Sequence, residues 1–165
     1  MASDLIASLR GKKDIKILFV CLGNICRSPA AEGVMKETLS NHGVNWTVDS
    51  AGTGDYHIGD LPDWRMRSAA KCRGLLLTHH CRQVKPADFE HFDLIIGMDA
   101  NNLANLRRMA PTPEGAKKVV GIGQWLDPSL GYDYVPDPYY ESDRAFDLVL
   151  DLLANACENI YESLR

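Results

Sequence analysis

Cys21 and Arg27 close the two ends of the run Cys21-Leu22-Gly23-Asn24-Ile25-Cys26-Arg27, and Ser28-Pro29 follow at once. A thiol is a strong nucleophile, and a guanidinium presents a planar fork of donors that matches two oxygens of a phosphate-like oxyanion. Gly23 and Asn24 are residue types that readily take left-handed backbone conformations, which the loop needs if its N–H groups are to converge on one point. Ser28 and Pro29 launch a helix, so the loop ends at a positive helix N-terminus, where anions bind and where the Cys21 thiol favours its thiolate. The reading is a nucleophile, Cys21, with an oxyanion held by Arg27 and by the backbone and hydroxyl of Leu22, Gly23, Asn24, Ile25, Cys26 and Ser28. Spacing alone is a weak signal, since a buried, inert cysteine closing a core strand is the common alternative. The context adds to it: a strand before, a glycine within and a helix start after.

That context comes from the flanking elements. Lys16 to Cys21 (K-I-L-F-V-C) is a short apolar run rich in β-branched and aromatic residues, predicting a buried strand that enters a turn at Gly23. From Ser28 the period changes, with Ala31, Met35 and Leu39 on one apolar face up to the stop at Asn41-His42-Gly43. The alternation repeats as a strand over Trp46 to Ala51, a helix over Asp63 to Arg73, a strand over Leu94 to Met98 and a helix over Asn101 to Met109. A fourth strand is expected over Lys118 to Ile122. Gly123 to Tyr140 is irregular and holds three prolines, and a final amphipathic helix covers Asp143 to Ser163. Long loops in small domains usually carry function. Strands alternating with helices imply an α/β fold in three layers, helix, parallel sheet and helix, with the ligand site beyond the carboxyl ends of the strands. Residues 1–13 read as an N-terminal extension, either one apolar turn through Leu5, Ile6 and Leu9 or a frayed tail, and residues 14–165 as a single domain.

The 18 basic and 22 acidic side chains leave a net charge of -4, which supplies no broad positive surface for nucleic acid or an anionic membrane. Five cysteines are an odd number and no secretory leader precedes the first strand, which favours a reducing, cytoplasmic setting with functional thiols. No apolar run approaches the length of a membrane span. Cys72 with His79, His80 and Cys81 fits no usual zinc spacing, so neither metal nor cofactor is expected.

The segment Val20 to Glu32, V-C-L-G-N-I-C-R-S-P-A-A-E, resembles the signature of the low-molecular-weight protein tyrosine phosphatases. The likeness continues in D-S-A-G-T at Asp49 to Thr53, H-x-x-R-Q at His79 to Gln83, G-M-D at Gly97 to Asp99 and D-P-Y-Y at Asp137 to Tyr140. It implies a four-stranded parallel sheet of flavodoxin-like order 2-1-3-4 and a two-step hydrolysis of phosphotyrosine through a cysteinyl-phosphate. It also implies that Asp137 protonates the leaving oxygen, a role for which a carboxyl group on a long loop over the pocket is suited. By the same likeness Tyr56, Tyr139 and Tyr140 line a substrate cleft, with Tyr56 and His57 standing where some members have tryptophan and asparagine. Asn24, Ser50 and His79 would support the loop through hydrogen bonds, and Cys26 would form a reversible disulfide with Cys21. The expected substrates are phosphotyrosine-containing proteins or peptides, with inorganic phosphate and other oxyanions as competitors.

Three other functions fit parts of this pattern. An arsenate reductase of the same fold would relay a disulfide through later cysteines such as Cys72 and Cys81, but its loop usually has serine where Ile25 stands. A protein-arginine phosphatase typically has threonine there. A phosphate-binding module without catalysis would have lost Cys21, Arg27 or Asp137, and all three are present.

Overall fold

The computed structural model describes residues 2–165. Strand β1, Lys16–Cys21, is buried on both sides because its side chains alternate between two apolar layers. Ile17, Phe19 and Cys21 join one core cluster, and Leu18 and Val20 the other. Helix α2, Arg27–Asn41, follows and returns the chain to β2, Thr47–Gly52. Next come α3, Trp64–Cys72, a short α4, Asp88–His91, and β3, Leu94–Gly97. Helix α5, Ala100–Met109, a short α6, Pro113–Ala116, and β4, Val119–Gly121, complete the alternation. The final helix α7 spans Asp143–Leu164.

The strands form one parallel sheet of order β2-β1-β3-β4, the order that the family resemblance implies. Helices α2 and α7 pack together on one face, where Met35, Leu39, Phe146, Leu153 and Ile160 meet Ile17 and Phe19. Leu106 of α5 and Phe89 of α4 cover Leu18, Val20 and Ile95 on the other. The chain thus leaves β1 for one neighbour and β3 for the other, opening a crevice at the carboxyl end of β1. Cys21 is the last residue of that strand.

Several bounds differ from expectation. Ala2–Leu9 forms a helix, α1, rather than a frayed tail: Leu9 is buried in the main core, and the Gly11 N–H donates to the Leu164 carbonyl at 2.9 Å, satisfying a group at the end of α7. The fourth strand is only three residues long, because Ile122–Trp125 tightens into a 3₁₀ turn. A second such turn, Pro128–Leu130, breaks the long stretch before α7. Helices α4 and α6 are too short for a periodicity signal. Among the described residues no helix is long and apolar enough to cross a membrane.

Candidate active site

Cys21 lies almost buried where β1 ends, with Sγ 3.0 Å from Oγ of Ser28 in the first turn of α2. The five residues between β1 and α2 make a loop whose carbonyls point outward. The Cys21 carbonyl accepts from Thr53 N–H at 3.0 Å, Leu22 from Gly54 N–H at 2.9 Å and Ile25 from Asp63 N–H at 2.7 Å. None of the backbone N–H groups from Gly23 to Ser28 is donated to another group among the described residues. A loop with its acceptors tied outside and its donors unspent inside is built to receive an anion.

Asn24 supplies the left-handed turn, at φ 58°, the one positive φ of a non-glycine residue among those described. Gly23, expected to share that conformation, does not: no positive φ falls on it. Its small size serves space instead, since a Cβ there would lie 3.2 Å from Cδ2 of His57, which leans over the loop.

The Asn24 side chain ties the loop to its surroundings. Its Nδ2 donates to Ser28 Oγ at 2.8 Å and Ser50 Oγ at 3.1 Å, while its Oδ1 accepts from Arg82 N–H at 2.9 Å and faces His79 Nε2 at 2.8 Å. Ser50 Oγ donates onward to Glu32 Oε1 at 2.7 Å, and His79 Nδ1 lies 3.1 Å from the same oxygen. The structure thus brings Asn24, Ser50 and His79 together. It adds Glu32, whose side chain has no spacing signal of its own in the sequence and is buried on α2. Glu32, Asp49 and His79 place three ligand atoms within 4.8 Å of one another, but these side chains also face Ser50, Asn24 and Arg82.

Arg27 is 3% exposed, and two carboxylates hold its fork. Nη1 donates to Asp99 Oδ2 at 2.6 Å and to the Val135 carbonyl at 3.1 Å, and Nη2 lies 3.7 Å from Asp137 Oδ2. Burial alone would lower the guanidinium pKa, but Cys21 and the Asp99 hydrogen bond outweigh it and raise it, so the cation persists. Asp99 is oriented by its other oxygen: Oδ1 accepts from Asn102 N–H at 2.8 Å as the cap of α5, leaving Oδ2 for Arg27. The G-M-D strand end was its only sign in the sequence.

Asp137 arrives from a loop 110 positions further on. Val135 anchors that loop by donating its N–H to the Met98 carbonyl at 2.9 Å and accepting from Arg27. Gly123 permits the crossing, since a Cβ there would collide with the Asp133 carbonyl oxygen. The Asp137 carboxylate accepts the N–H of Tyr139 at 3.1 Å, a short turn that leaves its side chain half exposed at the mouth.

These groups line one hollow of about 350 Å³ that holds Cys21, Cys26, Arg27, Asp137, Tyr56, His57, Tyr139 and Tyr140. Tyr139 and Tyr140 meet edge to face with centroids 4.9 Å apart, and Arg65 stacks over the Tyr139 ring. Tyr56 and Tyr140 are 71% and 91% exposed, leaving ring faces for a flat apolar group. A larger hollow of about 830 Å³, between α1 and β4, contains none of these residues.

Residues 16–165 match the family described as low molecular weight phosphotyrosine protein phosphatase. A Synechocystis sp. protein provisionally named a low molecular weight protein-tyrosine-phosphatase is 45% identical over 91% of this chain and 96% of its own. The Homo sapiens low molecular weight phosphotyrosine protein phosphatase is 38% identical over 88% and 93%. Among solved structures, a protein tyrosine phosphatase from Entamoeba histolytica superposes with a TM-score of 0.88 at 42% identity, covering 92% of this chain and 97% of that one.

Proposed function

We propose, for a chain that belongs to the low molecular weight phosphotyrosine protein phosphatase family, that the loop from Cys21 to Ser28 hydrolyses phosphotyrosine in proteins or peptides. The Cys21 thiolate attacks phosphorus in line with the tyrosyl oxygen. As the S–P bond forms the P–O bond to the ring breaks, and the Asp137 carboxyl passes its proton to the departing oxygen. Water then attacks the cysteinyl-phosphate and gives a proton to the Asp137 carboxylate, the S–P bond breaks, and inorganic phosphate leaves with the thiolate restored. Arg27 and the loop amides hold the three equatorial oxygens through both steps. The Ser28 hydroxyl, 3.0 Å from Cys21, stabilises the thiolate as nucleophile and as leaving group. Asn24, Ser50 and His79 keep the loop in its binding shape, and Tyr56, Tyr139 and Tyr140 receive the substrate ring.

The observation that carries this reading is the set of undonated loop amides around Cys21, with Arg27 and Asp137 at the same hollow. It is tested by offering the enzyme a phosphotyrosyl peptide, a phosphoarginyl peptide and arsenate with a thiol reductant. The expected result is release of inorganic phosphate from the first, much more slowly from the second, with no arsenate reduction. Faster turnover of phosphoarginine, or reduction of arsenate, would replace the substrate assigned here. Inorganic phosphate should compete with the peptide.

All five cysteines are free thiols, which supports a reducing, cytoplasmic setting. Cys26 lines the hollow with Cys21, and its thiol is pushed up in pKa by burial first and by Asp63 and Cys21 next. It is therefore a thiol at neutral pH, not a second nucleophile. Peroxide would convert the Cys21 thiolate to a sulfenic acid with loss of hydroxide, and the Cys26 thiol would condense with it to a disulfide and water. Activity lost to mild peroxide should return with thiol reductant, and peptide mapping of the oxidised enzyme should find Cys21 linked to Cys26. Mapping that finds Cys21 unlinked under those conditions removes this role.

A further inference from the structure

We propose that Cys81 is a positioning residue of the oxyanion loop, its thiol holding the Asn24 carbonyl outward so that the N–H of Ile25 faces the bound oxyanion. This rests on the reading of the loop as the phosphate site.

Cys81 Sγ lies 2.7 Å from the Asn24 carbonyl oxygen, and among the described residues it is the one donor to that oxygen. The C=O of one residue and the N–H of the next point in opposite directions across a planar trans peptide. Fixing the Asn24 carbonyl toward Cys81 therefore fixes the Ile25 N–H toward the other side, where Ile25 lines the hollow beside Cys21. Asn24 is also where the loop takes its left-handed conformation. The competing arrangement at such a turn is a flipped peptide, which would present a carbonyl oxygen to the oxyanion in place of a donor.

The thiol is suited to donate. It is buried, and burial, followed by the charges of Asp60 and Cys21, pushes its pKa up to about 12. It keeps its proton at neutral pH, and its next acceptor, the Leu61 carbonyl, is 4.0 Å away. The backbone of Cys81 is held independently of its side chain: its N–H donates to the Asp60 carbonyl and its carbonyl accepts from Gly59 N–H, both at 2.8 Å. Those two bonds tie Cys81 to the segment that carries Tyr56 and His57 to the cleft, and they survive any side-chain substitution other than proline.

The experiment compares wild type, Cys81→Ala and Cys81→Ser with p-nitrophenyl phosphate as substrate and inorganic phosphate as competitive inhibitor. Removing the donor should raise both KM and the phosphate Ki about 3- to 10-fold, the weight of one hydrogen bond. Serine, which restores a donor in nearly the same place, should return both to within about 2-fold of wild type. A cysteine that only fills space predicts the reverse order, since a hydroxyl is costlier than a methyl group in an apolar setting. Equal Ki values in wild type and Cys81→Ala, or serine no better than alanine, would overturn the proposal. Thermal unfolding of each variant separates loss of fold from loss of binding. If Cys81→Ala does not fold, Cys81→Val, close in volume and without a donor, takes its place beside serine. Wild type that hydrolyses the ester but is not competed by phosphate would instead refute the phosphate-loop reading, and this inference with it.

Discussion

Cys21→Ser should lower turnover of p-nitrophenyl phosphate by about 10⁴-fold or more, as loss of a covalent nucleophile does when its partners remain in place. The Ki for inorganic phosphate or vanadate should stay close to that of wild type. The two results follow from a division of labour at the loop. In the proposed mechanism, oxyanion binding is the work of the amides from Gly23 to Ser28 and of the Arg27 fork, whose orientation is set by Asp99 and Val135 rather than by the nucleophile. Bond formation to phosphorus is the work of the sulfur, and a serine hydroxyl at the same place is a far weaker nucleophile without a base to activate it. Ser28, at 3.0 Å, is a hydroxyl and cannot act as that base near neutral pH. Turnover within tenfold of wild type would show that another residue attacks phosphorus. Loss of oxyanion binding together with turnover would show instead that the loop has collapsed, and the comparison would pass to Cys21→Ala.

Asp137→Ala should cost about 10²- to 10⁴-fold on phosphotyrosine and much less on an ester of a strongly acidic phenol. Tyrosine's phenol has a pKa near about 10, so its departing phenolate needs a proton as the P–O bond breaks, whereas a strongly acidic phenol leaves unaided. Asp137 stands half exposed at the mouth of the hollow, 3.7 Å from Arg27 Nη2, so its carboxyl can reach an oxygen that bridges a held phosphorus and a ring outside. Across a series of aryl phosphates the wild-type rate should depend little on leaving-group pKa, and the mutant rate should fall steeply as that pKa rises. Equal slopes would remove Asp137 as the acid. Asp99 is a poor replacement, since both its oxygens are engaged, one by the cap of α5 and the other by Arg27. Asp55 and Asp133 would then be the carboxylates to test.

The local chemistry was legible because it is contiguous. Nucleophile, loop, arginine and helix start occupy Cys21 to Pro29, where strand, turn and helix signals are short-range properties of the chain. The parallel sheet followed from alternation of short apolar runs with helices, and its order from the family resemblance. The N-terminal helix was not decidable from sequence, because an eight-residue segment is stable only through what it packs on, here the far end of α7.

What the sequence determined by itself, then, is a loop able to wrap an oxyanion behind a thiol, since asparagine and arginine at those positions act through backbone freedom and fixed charge, and glycine through its small size. What only the tertiary structure decided is which distant groups hold that loop in shape: Asp99 orienting Arg27, Glu32 behind Ser50 and His79, Val135 anchoring the loop of Asp137, and Cys81 beneath Asn24. A carboxylate on a helix cap, a carbonyl on a loop and a buried thiol carry no spacing relative to the residues they serve. Their partners are chosen by the crossings of a sheet that brings the carboxyl ends of β1, β2 and β3 to one crevice.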